Sequence, residues 1–224
     1  MLVLAIDTST AAVTAVVAEC NAGEARVLGL ATHMGAQDHG EQLAVMIDQA
    51  LSQAALNPPQ IEAIVVGVGP GPFTGLRVGL VAARVMGHAL DVEVHGICSL
   101  DALAATALVN GLVTREEDAT FAVASDARRR EIYWATYSIT ADDRAGRTDG
   151  PYVSKAADLP EVVRLGSAIG RGTDIYVETF GVPRAPFEPS PQGLAQAAAW
   201  ALDSATTTSP EPMYLRRPDA VAWQ

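Results

Sequence analysis

Asp7-Thr8-Ser9-Thr10 follows the short apolar run Leu2–Ile6 and precedes another, Ala12–Glu19. Small hydroxyl residues and free amides at a strand-to-strand turn can hold a phosphate. An aspartate beside them can orient Mg²⁺ or a water. The same residues also suit a plain Asx-turn that closes a hairpin. A second candidate is Gly67-Val68-Gly69-Pro70-Gly71-Pro72-Phe73-Thr74-Gly75, set between a strand-like run and a helical one. That is the context of nucleotide loops. The chemistry is incomplete, however. Phe73 or Thr74 stands where a dinucleotide fingerprint needs its third glycine, and the only lysine, Lys155, is remote. Pro70 and Pro72 each remove an amide that a phosphate cradle would use. The loop reads as stiff, with Thr74 expected as the N-cap of the next helix. Arg77 then falls in the first turn, against the helix dipole. It is expected to meet a carboxylate of this chain or a partner, with a bound phosphate as the alternative.

Other chemistry-bearing residues are sparse. His33, His39, His88 and His95 form neither an HExxH motif nor an i,i+4 pair, so no metal site is expected. There is no GxSxG. Asp38-His39-Gly40-Glu41 reads as a helix start. Cys98-Ser99 has no neighbouring base and reads as a buried thiol followed by an N-cap. Arg128-Arg129-Arg130 is the one basic cluster; it reads as a solvated turn, with contact to RNA or an acidic partner as the alternative.

The chain has 224 residues, with 26 Asp and Glu against 15 Lys and Arg, for a net charge of −11. Such a molecule repels phosphate backbones and anionic membranes, which argues against a stand-alone nucleic-acid binder. With 49% hydrophobic and 18% charged residues it can bury a sizeable core. No apolar run approaches the roughly 18 residues of a membrane span. The N-terminus lacks the basic region and long apolar run of a secretion signal. Cys20 and Cys98 fit no disulfide or CxxC pattern. A soluble cytoplasmic protein is expected.

The elements that position these residues follow from periodicity. Leu2–Asp7, Ala12–Glu19 and Glu24–Thr32 read as antiparallel strands joined by short turns. A helix from Asp38 or His39 to about Leu56 carries Leu43, Ile47, Ala50, Leu51 and Ala54 on one face. Ile61–Val68 reads as a fully buried strand. Leu76–Leu90 follows as a helix, Val92–Ile97 as a strand, and Ser99 or Leu100 to about Asn110 as a helix. The layout then restarts: Thr120–Ser125 ends at Asp126, and Glu131–Ile139 runs back. Asp7 and Asp126 occupy corresponding places in a weak internal repeat. Ala141–Gly150 reads as polar turns and Ser204–Pro212 as a linker before the tail 213–224. The chain is therefore expected to be α/β, with two tandem subdomains, residues 1–103 and 104–224, each a mixed sheet that starts with a hairpin.

Within Leu76–Leu90 and its approach, Gly75, Gly79, Ala83 and Gly87 recur every four residues. Each glycine costs a helix about 1 kcal/mol relative to alanine. A small-residue face permits close approach of another backbone. That backbone is either the protein's own sheet or a partner helix.

Taken together, Ala5-Ile6-Asp7-Thr8-Ser9, the block Gly69-Pro70-Gly71-Pro72-Phe73-Thr74-Gly75-Leu76-Arg77-Val78-Gly79, Asp126-Ala127-Arg128 with Glu131-Ile132-Tyr133, and Tyr214-Leu215-Arg216 resemble the TsaB (YeaZ) family. The resemblance spans nearly the whole chain. It implies a duplicated ribonuclease-H-like fold of the actin, Hsp70 and sugar-kinase superfamily. It implies a role in making threonylcarbamoyladenosine (t6A) in tRNA, as the non-catalytic paralogue and dimerisation partner of TsaD. TsaD transfers threonylcarbamoyl from threonylcarbamoyl-AMP to the adenosine 3′ to the anticodon. The ATPase TsaE joins the pair, and tRNA is contacted only indirectly.

The resemblance also implies a partner interface on the N-terminal helices. Candidates there are Leu43, Ile47, Ala50, Gly75, Leu76, Gly79, Leu80, Ala83 and Gly87, and a homodimer could form on the same surface. Where TsaD-like enzymes carry a His-x3-His metal pair, Ser99 and Leu103 stand here, and neither replaces an imidazole ligand. Ser125-Asp126-Ala127-Arg128 lacks the glycines of a second phosphate loop. Asp7, Thr8 and Ser9 are thus expected to be a retained turn without its working partners, with no catalytic residue, cofactor or metal. The alternative is an independent ATPase or metal-dependent hydrolase of the superfamily, the glycoprotease-like reading.

Overall fold

Val3–Ile6 is buried on both faces, and this governs the first half of the molecule. A computed structural model describes residues 1–35, 38–117 and 119–216. In it β1 (Leu2–Asp7), β2 (Ala12–Asn21) and β3 (Glu24–Met34) form an antiparallel meander. After α1 (His39–Gln53), β4 (Ala63–Gly67) pairs parallel to β1. After α2 (Phe73–Leu90), β5 (Glu93–Ile97) pairs parallel to β4. The sheet order is β3-β2-β1-β4-β5. Side chains alternate across it, as a period of two requires. Leu4, Ile6, Ile64 and Val66 face α1 and α2, whereas Val3, Ala5 and Val65 face the opposite helical layer.

That opposite layer is α3 (Ser99–Val109) and a later helix. Eight residues of α3 are buried, from Ser99 to Ala107. A helix apolar on all sides belongs between two packed layers, and α3 does. Ala102 and Ala105 join the first sheet, while Leu100, Leu103, Ala104 and Ala107 join the second.

The second sheet repeats the first. β6 (Thr120–Asp126), β7 (Glu131–Ile139) and β8 (Ala145–Lys155) form the meander. The short helix α4 (Glu161–Leu165) leads to β9 (Ser167–Ile169), parallel to β6, giving the order β8-β7-β6-β9. Two further short helices, α5 (Arg171–Ile175) and α6 (Val177–Phe180), precede α7 (Pro191–Asp203). Ser190 caps α7 by accepting a hydrogen bond from Gly193 N. Four buried alanines of α7 let it return against the first sheet and α3.

Three local expectations change. Residues 145–150 are strand, not turn: this edge strand leaves Arg147, Thr148 and Asp149 exposed, so its sequence lacks an apolar signature. α2 begins at Phe73 with Pro72 at the cap position, so Thr74 lies inside the helix and caps nothing. Residues 204–212 do more than link. Thr208 bridges to Gly96, Arg84 pairs with Glu211, and Met213 N donates to Val68 O. The tail beyond residue 216 lies outside the described residues.

Candidate functional site

β1 and β6 both deliver an aspartate at the C-terminal end of the first strand of their sheet. Both aspartates close the same turn. Ser9 N donates to Asp7 Oδ1 at 2.9 Å, and Arg128 N donates to Asp126 Oδ1 at 2.8 Å. The plain Asx-turn reading is present at each, and the internal repeat extends to this hydrogen bond.

The two turns differ in access. Asp7, Thr8 and Ser9 are each no more than 3% exposed. Asp7 Oδ1 also accepts from Ser9 Oγ at 2.7 Å, and Oδ2 accepts from Ser99 Oγ at 2.6 Å. Ser99 Oγ in turn accepts from Gly69 N at 3.2 Å. Burial pushes the Asp7 carboxyl above the usual carboxylate range, opposed by the Ser99 and Ser9 hydrogen bonds. Asp7 therefore ties β1, the glycine-proline loop and the start of α3 together. Ser99, read from sequence as an N-cap, makes no cap bond and instead completes this knot. An apolar strand ending in Asp and a distant Ser carry no spacing signal, so only the fold reveals the pairing.

Thr8 makes the next contact. Its hydroxyl donates to Gly75 O at 2.8 Å and accepts from Gly79 N at 3.1 Å. A Cβ at Gly79 would stand 2.5 Å from that oxygen, and one at Gly75 would stand 2.5 Å from Thr8 O. At Gly87 a Cβ would strike Val94. The small-residue stripe thus faces the protein's own sheet. Leu43, Ile47, Ala50, Leu76, Leu80 and Ala83 are likewise buried in the core between sheet and helices. None of the nine expected interface residues reaches the surface. A glycine stripe marks a close approach but does not say to what, and here the neighbour is β1 with its turn.

The exposed face of α2 is different. Val81 and Val85, one turn apart, are 59% and 62% exposed, with Arg77 and Arg84 beside them and Val45 of α1 also exposed. Among the described residues Arg77 meets neither acid nor anion. Its guanidinium lies 3.8 Å over the Phe73 ring, Phe73 stacks on Tyr214 at 4.9 Å, and Arg77 Nε donates to Tyr214 Oη at 3.4 Å.

Between the two sheets lies a cleft of about 250 Å³. Thr10, His39 and Thr74 line it from the first half, and Asp126, Arg128 and Arg171 from the second. His39 is held by a 2.8 Å contact from Nε2 to Thr10 O. Arg171 is held by Asp174 and Glu188 and stacks on Phe187. Asp7 does not line this cleft. Arg128, Arg129 and Arg130 take φ of 60°, 52° and 64°, three successive left-handed residues that cost roughly 1–2 kcal/mol each. This makes the β6–β7 turn tight and sets Arg128 at the cleft mouth. Among the described residues no group of three or more His, Cys, Asp or Glu could hold a metal ion. Cys98 is buried, as expected, and its thiol is pushed up to about 12 by burial.

Two sheets, the second matching the first four strands of the first in order, each opened by a meander whose first strand ends in an Asx-turned aspartate, define a duplicated α/β protein. A family model described as TsaD, tRNA N6-adenosine threonylcarbamoyltransferase, matches residues 18–185. The chain is 42% identical over 219 residues to an uncharacterized protein of Mycobacterium tuberculosis, covering 97% of this chain and 93% of that one. It is 33% identical over 135 residues to the tRNA threonylcarbamoyladenosine biosynthesis protein TsaB of Haemophilus influenzae, covering 60% of this chain and 53% of that protein. The solved structure of YeaZ from Pseudomonas aeruginosa superposes with a TM-score of 0.78 at 24% identity, covering 96% of this chain and 99% of that one. The chain belongs to the tRNA N6-adenosine threonylcarbamoyltransferase (TsaD) family, and over part of its length it is similar to the TsaB proteins of that family.

Proposed function

We propose that this chain acts in t6A biosynthesis as a non-catalytic subunit that holds and activates a TsaD-type transferase. The observation that carries this reading is the Asp7 knot. The residue that a superfamily enzyme would turn toward phosphate and metal spends both carboxylate oxygens on Ser9 and Ser99, out of reach of the cleft. Active sites need a complete constellation with open valences. TsaE enters through the complex, and tRNA is held mainly by the partners. The same reading carries a cytoplasmic location. Among the described residues no helix is long and apolar enough to cross a membrane.

The docking surface in this proposal is the outer face of α2, centred on Val81 and Val85 and extended by Val45 of α1. Two exposed β-branched residues one helical turn apart suit a helix-on-helix contact. In the absence of the transferase, a second copy of the chain occupies the same face. The test is gel filtration and calorimetry with the TsaD-type protein of the same organism. The wild type should form a stoichiometric complex. Val81→Asp with Val85→Asp should weaken it at least about tenfold while leaving the monomer folded. Absence of a complex, or indifference to the double substitution, would remove the proposal or its surface respectively. ATP turnover lost on Asp7→Ala would instead favour an independent superfamily ATPase.

A further inference from the structure

A cavity of about 450 Å³ shares no residue with the cleft at Asp126. It lies where the start of α3, the β7–β8 hairpin and the end of α7 meet. Two of its charged groups are only partly used. Asp101 Oδ1 accepts from Tyr137 Oη at 2.8 Å and forms an ion pair with Arg147 Nε at 3.2 Å. Arg147 Nη1 donates to Gly150 O at 3.3 Å. Asp101 Oδ2 and Arg147 Nη2 make no hydrogen bond among the described residues. At the rim Arg144 is already matched, by Asp142 at 2.7 Å and Asp203 at 2.8 Å. Ile97, Trp200 and Met213 supply an apolar wall.

These residual valences select a ligand class. A simple anion would suit Arg147 but meet the free oxygen of Asp101. A simple cation would suit Asp101 but meet Arg147. A molecule with an ammonium and a carboxylate on neighbouring atoms satisfies both, through charge-assisted hydrogen bonds that each exceed a neutral one in strength. The apolar wall then takes its side chain. We propose that this cavity binds a free α-amino acid with an apolar side chain, its ammonium on Asp101 and its carboxylate on Arg147. The bound ligand braces the β7–β8 hairpin against α3 and α7. The inference goes beyond the role in t6A synthesis and requires no partner protein, so the two stand or fall separately.

The experiment is calorimetric titration of the full chain with L-leucine, leucinamide and 4-methylpentanoate. The second probe lacks the carboxylate and the third lacks the ammonium. Leucine should bind saturably at one site, and each analogue at least about tenfold more weakly. Asp101→Asn should weaken leucine by a similar factor. Ala201→Trp, which adds bulk at a lining position that carries no charge, should abolish binding with circular dichroism unchanged. Should either variant fail to fold, the analogue series on the wild type decides alone. No saturable heat up to about 10 mM leucine, or equal binding of all three probes, overturns the proposal.

Discussion

Replacing Gly79 with alanine tests where the small-residue stripe of α2 points. The new methyl would stand 2.5 Å from Thr8 Oγ1, closer than real side chains tolerate. Thr8 is 1% exposed, and its hydroxyl serves both Gly75 O and Gly79 N. Turning it away forfeits buried hydrogen bonds at a cost of about 1–3 kcal/mol. Shifting the helix instead costs about as much through overpacking. Against this, alanine gains about 1 kcal/mol of helix propensity over glycine. The net expectation is a loss of about 1 kcal/mol, roughly a fivefold rise in the unfolded fraction. Urea unfolding followed by circular dichroism reads this as a lower midpoint at unchanged slope. Thr8→Ala removes the obstructing oxygen, so the double variant should be less destabilised than the two single losses summed. A Gly79→Ala protein stabilised by about 1 kcal/mol and defective only in partner binding would refute the packing argument and return the stripe to the interface.

Other expectations follow from the same contacts. Because burial raises the Asp7 pKa above its unfolded value, its contribution to stability is full below about pH 3.8 and declines as pH rises through the folded pKa. Asp7→Asn should remove that decline, as seen by urea midpoints measured across the acid range; an unchanged pH profile would contradict the assignment. The Cys98 thiol, pushed up to about 12, holds roughly one thiolate in ten thousand near pH 8. A thiol reagent should therefore leave Cys98 untouched until denaturant is added, and rapid native labelling of that residue would show it is not enclosed. With a net charge of −11, the isolated chain should show little tRNA affinity at physiological salt in a filter-binding assay. Tight, salt-sensitive binding would give the Arg128–Arg130 turn an RNA role of its own.

The strands were readable because burial on both faces leaves continuous apolar runs such as Ala63–Val66, and because hairpin turns punctuate them. The repeat was readable from one residue type at one place, Asp7 and Asp126, and both prove to close the same turn. β8 was not, since an exposed edge strand can be as polar as Arg147-Thr148-Asp149. α7 was not, because its alanine-rich face packs by close approach and not by bulk. The site divided in the same way. Glycine spacing announced a tight contact, but identifying its neighbour needed Thr8 in space. The Ser99–Asp7 bond spans 92 positions and joins two residues whose types alone suggest a cap and a phosphate turn.

The central claim is tested most directly by reconstituting t6A formation. The TsaD-type protein, the TsaE-type ATPase, threonylcarbamoyl-AMP and tRNA would be combined with or without this chain, and modified adenosine quantified by mass spectrometry. The account predicts product only when this chain and the transferase are both present. It also predicts that a folded chain carrying Val81→Asp and Val85→Asp fails to support the reaction. Product formed by this chain without the transferase, or formed equally well without this chain, would contradict it.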